Sequence, residues 1–188
     1  QTSAGVISTI NIAAVNDATV MGAGANLAYT ENTVASIPAL TFDGANDIVA
    51  VGDLGSSSAF TVETRLKLAS VSNWQVILNS NTWQTGNIHL QFAGTTLQLA
   101  INGSADYYFS RNFTSLVGTW VQLAVTVDVS ATTRVFKLYV NGALDETITT
   151  TAGGSTLNYS TASIGGWAND RWLNGQVSDF RVWNTART

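Results

Sequence analysis

The feature that most constrains this chain is a strict two-residue alternation of apolar and polar side chains, restarted again and again after short Gly/Asn turns. In F-T-V-E-T-R-L-K-L (60–68), Phe60, Val62, Leu66 and Leu68 fall on one face, and Thr64 completes it. In 120–129, Val121, Leu123, Val125 and Val127 point one way while Gln122, Thr126 and Asp128 point the other. Phe136, Leu138 and Val140 alternate with Lys137 and Tyr139. Asn141-Gly142 then offers the two residues most tolerant of positive φ that a type I′ hairpin requires, with 144–149 as its return strand. A period of two places alternate side chains on opposite faces of an extended chain and is incompatible with a helix. Further strands are expected at 40–42, 48–51, 76–78, 88–92, 97–101, 163–164 and 177–183. A weak helical turn at 112–116 is the exception. No repeat of about 40 residues, as a propeller blade needs, is evident. The expected fold is all-β, a two-sheet antiparallel jelly-roll sandwich whose apolar faces bury each other.

Composition narrows the partners. Only 11% of the 188 residues are charged and the net charge is −4. Typical domains carry about 25% charged residues. Without a basic patch, nucleic acid is not an expected partner, and an anionic membrane surface is disfavoured. No apolar run approaches the length of a membrane span, so no membrane insertion is expected. A surface of Asn, Thr, Ser and Gly has little to repel an uncharged polar partner such as a glycan or polysaccharide. There is no cysteine, which removes disulfides, thiol catalysis and cysteine–zinc sites. Residues 1–37 lack Trp and Phe and carry one strand-like stretch at 6–12. They read as a junction or linker ahead of a domain over 38–188. The non-Met start, Gln1, reads as a processed product or a piece of a longer chain.

Several segments in order carry a family likeness: A-L-T-F-D-G-A-N-D-I-V-A-V (39–51), F-T-V-E-T-R-L-K-L (60–68), G-T-W-V-Q-L-A-V-T-V-D (118–128), K-L-Y-V-N-G (137–142), A-S-I-G-G (162–166) and L-N-G-Q-V-S-D-F-R-V-W-N-T-A-R-T (173–188). Together they resemble the laminin-G-like/concanavalin-A-like superfamily, in its bacterial, pentraxin-related branch. The stretch I-N-I-A-A-V-N-D-A-T-V with L-A-Y-T-E-N resembles the cadherin-like repeats of bacterial adhesins. The resemblance implies two curved antiparallel sheets, a binding role, an extracellular or cell-surface location, and often a calcium ion. In that picture Asp43 of the F-D-G motif, Asn46 and Asp179 would hold calcium, which takes six to eight oxygen ligands. In the alternative, Asp43 only closes its own Asx-turn and Asp179 pairs with Arg181.

Sugar recognition needs flat aromatic faces beside planar hydrogen-bonding groups. Trp120, Trp183 and Phe42 lie in strand patterns and are expected in the core. The available aromatics lie in irregular stretches: Trp83, the pair Tyr107 and Tyr108, and Trp167 and Trp172, which flank Asn169, Asp170 and Arg171 in a Gly-rich loop. The alternatives are that one Trp of that loop plugs the sandwich and that Tyr107 and Tyr108 form an ordinary strand. His89 alternates with Ile88 and Leu90, and is either a sugar contact or a plain sheet-face residue.

Catalysis is not expected. Glycosidases need two nearby carboxylates with separated roles. Here Glu63 stands alone near Arg65, and Glu146 follows Asp145 after a hairpin turn. A lyase set would need His89 with Tyr107 or Tyr108 and Arg111. His89 alone supports neither a serine triad nor a three-histidine zinc site. The sequons at Asn102, Asn112 and Asn158 read as chance in an Asn/Ser/Thr-rich chain. The expected function is a lectin-like, non-catalytic module of a secreted or surface adhesin-type protein. The alternative is a protein-binding or spacer module of the same fold, with a protein receptor as partner.

Overall fold

Each alternating segment becomes a strand in the computed structural model, which describes residues 38–187 apart from 73, 81, 168 and 169. The strands are β1 (Leu40–Asp43), β2 (Val49–Gly52), β3 (Ser56–Ser57), β4 (Ala59–Leu68), β5 (Gln75–Ser80), β6 (Ile88–Ala93), β7 (Thr96–Ile101), β8 (Ala105–Tyr108), β9 (Val121–Asp128), β10 (Arg134–Val140), β11 (Ala143–Thr150), β12 (Leu157–Asn158), β13 (Ala162–Ile164) and β14 (Asn174–Trp183). The helical turn expected at 112–116 is a single 3₁₀ turn over Thr114–Leu116. The two-residue strands β3 and β12 were not among the expected ones, and β8 is the ordinary strand given as the alternative for Tyr107 and Tyr108. Expectations that concern residues 1–37 lie outside the described residues.

The strands form two six-stranded antiparallel sheets. The first runs β11-β10-β9-β4-β14-β1, the second β2-β13-β5-β6-β7-β8, and β12 and β3 pair as a small ribbon. Non-sequential neighbours, such as β4 between β9 and β14, are what a jelly roll requires.

The expected apolar rows meet between the sheets. Phe60, Val62, Leu66 and Leu68 of β4 and Val121, Leu123, Val125 and Val127 of β9 are buried with Phe136, Leu138 and Val140 of β10. The second sheet answers with Leu78, Leu90, Leu99, Phe92 and Leu97. One direct contact across the layers joins Tyr107 of β8 to Phe136 of β10, with ring centroids 4.5 Å apart. Each such side chain contributes roughly 1.5–3 kcal/mol by leaving water. Thr64, the one polar residue in its row, donates its hydroxyl to the Ser178 carbonyl at 3.0 Å, so no buried hydroxyl is left unmet there.

The hairpin turn forms as expected: Asn141 and Gly142 have φ of 53° and 79°, and Val140 pairs with Ala143. The Asn141 side chain also accepts the Gln122 N–H at 3.0 Å, tying the turn to β9.

Trp183 departs from the expected core position. It ends β14 on the outer face of the first sheet, 37% exposed, with Nε1 donating to Glu63 and Arg187 stacked 4.2 Å from its ring centre. The alternation of β14 is broken by a bulge between Ser178 and Arg181, where Asp179 takes a φ of 52°. Counting every second residue across that bulge gives the wrong face.

Candidate functional site

The second sheet carries two faces of opposite character. Its inner face is the apolar row Leu78–Leu90–Leu99–Tyr107. Its other face aligns Ser163–Asn79–His89–Ala100 across β13, β5, β6 and β7, and Val76–Gln91–Gln98–Tyr108 across β5 to β8. These polar groups are not a solvated surface: Asn79, His89, Gln91, Gln98 and Ser163 are all buried. Uncharged amide and imidazole side chains occupy positions where an exposed sheet face carries Thr, Lys or Glu, and a buried polar group must be paired or used.

A directional hydrogen-bond relay crosses this face. Arg171 Nη1 donates to Gln91 Oε1 at 2.9 Å, Gln91 Nε2 donates to Gln98 Oε1 at 2.6 Å, and Gln98 Nε2 donates to the Tyr108 hydroxyl at 2.7 Å. A guanidinium has no acceptor, so it fixes the orientation of the first amide, and each amide fixes the next. Tyr108, 51% exposed, ends the relay as an acceptor, which leaves its own O–H to donate outward.

Over the polar rows stands a group of aromatic rings. Trp83, 61% exposed, lies with its ring centre 5.1 Å from His89 and 5.7 Å from Trp167. Trp167 meets His89 edge-on at 5.4 Å. The Arg171 guanidinium lies 4.7 Å from the Trp167 ring centre and 4.8 Å from that of Trp74. Local structure holds each piece. Buried Asn87 donates to both the carbonyl and the hydroxyl of Thr82, next to Trp83. Trp167 and Asp170 exchange both backbone hydrogen bonds. Trp74 and Arg171, neither of them glycine, sit at φ of 64° and 60°. Such conformations cost of order 1 kcal/mol or more each and concentrate at binding and catalytic sites.

His89 is neutral here for a structural reason. The Asn102 amide nitrogen faces Nε2 at 3.5 Å and has no lone pair to offer, so Nε2 accepts and the proton sits on Nδ1, which is buried without a protein acceptor. Burial, and then the nearby Arg171 charge, lower its pKa from 6.5 to about 4. Asn79 Oδ1, Trp167 Nε1 and Arg171 Nε are likewise buried and unpaired, so the site holds hydrogen-bonding capacity that no described residue meets.

The profile described as the concanavalin A-like lectin/glucanases superfamily matches residues 43–188. The chain belongs to this superfamily. No curated protein matches it. Domain 4 of an extracellular arabinanase from Geobacillus stearothermophilus, solved in complex with arabinotriose, is 20% identical, with a TM-score of 0.59 over 88% of this chain and 78% of that one. The heptameric SAP-like pentraxin of Limulus polyphemus is 20% identical, with a TM-score of 0.55 over 79% and 76%. Domains LG4-5 of the mouse laminin α1 chain are 15% identical, with a TM-score of 0.59 over 77% of this chain and 40% of that one. At these identities the likeness concerns the fold.

Within this superfamily frame, the expected ligand residues divide. Trp83, His89, Trp167 and Arg171 converge, and Tyr108 joins them through the relay. Asp170 lies beside them, its Oδ1 accepting the Arg171 backbone N–H at 2.7 Å. Tyr107 does not join: it faces the core, and its hydroxyl donates to the Ala152 carbonyl at 3.2 Å. Its neighbour Tyr108 takes the other face because β8 is an ordinary strand. Trp172 also turns away and packs on Gly166, where an added Cβ would lie 2.5 Å from its ring. Asn169 lies outside the described residues. Sequence reasoning missed Trp74 and the Gln91–Gln98 pair. The pair was visible as amides alternating with Leu90 and Leu97–Leu99. Trp74 gave no such signal, because it precedes a strand whose alternation is broken by a bulge at Ile77.

The three expected calcium ligands do not converge. Asp43 pairs with Asn174, so Asp179 lies five positions farther along β14, roughly 17 Å away at about 3.4 Å per residue. The Asp43 carboxylate accepts the Ala45 N–H at 2.8 Å as an Asx-turn, and Asp179 pairs with Arg181 at 2.6 Å. These residues do not fit a shared ion. The carboxylates of the first sheet are also apart. Glu63 faces outward to Trp183 and Arg187, whereas Glu146 lies on the edge strand β11 and accepts the Ser110 N–H and hydroxyl. With β9 and β10 between them, they are roughly 14 Å apart at about 4.8 Å per strand, beyond the spacing of about 5–9.5 Å that glycosidase pairs use. Of the lyase set, Tyr107 is in the core, Tyr108 shares the polar face with His89, and Arg111 is engaged with Asp145.

Proposed function

We propose that the chain is a non-catalytic carbohydrate-binding module, displayed outside the cell as part of an adhesin-type protein, with its site on the polar face of the second sheet. The observation that carries this reading is the 61% exposed ring of Trp83, held beside Trp167 above a row of buried amides and an imidazole. An exposed indole offers a flat apolar face to sugar C–H groups, and the hydroxyls of the same sugar meet planar hydrogen-bonding groups around it. The arabinotriose complex of the similarly folded arabinanase domain supports the same class of ligand.

A glycan array probed with the wild-type chain and with Trp83→Ala tests the reading. Wild type is expected to retain a defined subset of glycans, and the variant to lose them by at least tenfold. No glycan above background, or binding indifferent to Trp83, Trp167 and Tyr108 substitutions, would transfer the role to a protein receptor or a spacer.

A further inference from the structure

The hydrogen-bonding groups left over in the site are unbalanced toward donors. Arg171 Nη1 is spent on Gln91, but Nε, on the opposite edge of the guanidinium, is buried without an acceptor. Trp167 Nε1–H is buried and unpaired, and so is His89 Nδ1, which the tautomer argument makes a second N–H. The relay makes the Tyr108 hydroxyl a further outward donor. Against these donors stand two buried unpaired amide acceptors among the described residues, Asn79 Oδ1 and Asn87 Oδ1. A neutral sugar hydroxyl both donates and accepts and would not need such an excess. A carboxylate only accepts.

The charge points the same way. Among the described residues Arg111, Arg181 and Arg187 each pair with a carboxylate, whereas Arg65, Arg134 and Arg171 make no such ion pair, and of these three Arg171 is the one packed among the rings of the site. This is not for want of acids in a chain of net charge −4. Asp170, next in sequence, turns its Oδ1 to the Arg171 backbone instead. The Trp74 and Trp167 ring centres lie 4.8 and 4.7 Å from the guanidinium carbon and confine the group, and its Nε edge is the one without a described partner. The parallel N–H groups of that edge match the two oxygens of a carboxylate.

We infer that the site selects acidic glycans, with the carboxylate of a uronic or sialic acid residue received by the Nε edge of Arg171 and the sugar ring stacked on Trp83. This rests on the carbohydrate-binding reading and specifies its ligand class. Matched pairs test it: oligogalacturonate against its carboxyl-reduced galactose form, and a sialylated glycan against its asialo form, each titrated calorimetrically at fixed salt. In at least one pair the acidic member is expected to bind at least tenfold tighter. Arg171→Gln should erase that preference, while Trp83→Ala should weaken both members. Equal affinity for acidic and neutral members in wild type would overturn this inference and leave the module reading intact. Binding to neither member of either pair, together with a blank glycan array, would overturn both.

Discussion

The indole of Trp83 lies 5.1 Å from the imidazole of His89, so the most exposed large ring of the site covers its most deeply buried titratable group. Removing that ring has two separable effects. Trp83→Ala is expected to abolish glycan retention yet change global stability by less than about 1 kcal/mol, because surface positions rarely contribute more. It should also raise the His89 pKa toward 6.5, since burial is the largest cause of its depression. An imidazole NMR titration of wild type and variant reads this shift. An unchanged midpoint would mean that Trp83 does not shield His89.

The same histidine makes stability depend on pH. Its pKa is 6.5 when exposed in the unfolded chain and about 4 in the folded one. As pH falls below 6.5 the unfolded chain takes up a proton that the folded chain refuses. Its contribution is therefore fully present above pH 6.5 and lost as pH falls to 4, with a total of about 3 kcal/mol. Urea unfolding between pH 4 and 8 should show this slope, and His89→Gln should flatten it.

The Arg171–Gln91–Gln98–Tyr108 relay behaves as a unit. Gln91→Leu keeps the volume but strands Arg171 Nη1 and Gln98 Oε1 without their present partners. Each unmet buried group costs about 1–3 kcal/mol, so a loss of about 2–4 kcal/mol is expected in chemical denaturation. A double-mutant cycle with Gln98→Leu should show less than additive loss.

Two positions away from the site test the packing. At Gly165, φ is 87° and an added Cβ would lie 2.0 Å from Phe42 Cε1. Gly165→Ala is expected to destabilise by about 3 kcal/mol or more, through strain and overpacking together. Tyr159 is the opposite case. Its ring packs edge-on against Phe60 at 5.1 Å, but its hydroxyl is buried and unpaired, with its pKa pushed up by burial. Tyr159→Phe is expected to be neutral or to stabilise by up to about 1 kcal/mol. A thermal melt of each variant decides both.

The alternation of Phe60 to Leu68, Val121 to Val127 and Phe136 to Val140, with the Asn141-Gly142 turn, was enough to place the strands and to choose which faces bury each other. That information is local, because a strand's side-chain period is set by its own backbone. The sequence also marked Trp83, His89, Trp167 and Arg171 as residues worth following. It did not separate Tyr107 from Tyr108, Trp167 from Trp172, or Trp183 from the core. The family resemblance implied that Asp43 and Asp179 meet, whereas β1 pairs with β14 so that Asp43 lies opposite Asn174. Those outcomes depend on bulges, on strand register and on which loops fold over which sheet: the β7–β8 pairing sorts Tyr107 from Tyr108, whereas Trp183 and Asp179 are placed by a strand that pairs with segments more than 100 positions away. The relay from Arg171 through Gln91 illustrates the limit: 80 residues separate its first two members, and only the closure of the sandwich brings their polar atoms within 2.9 Å.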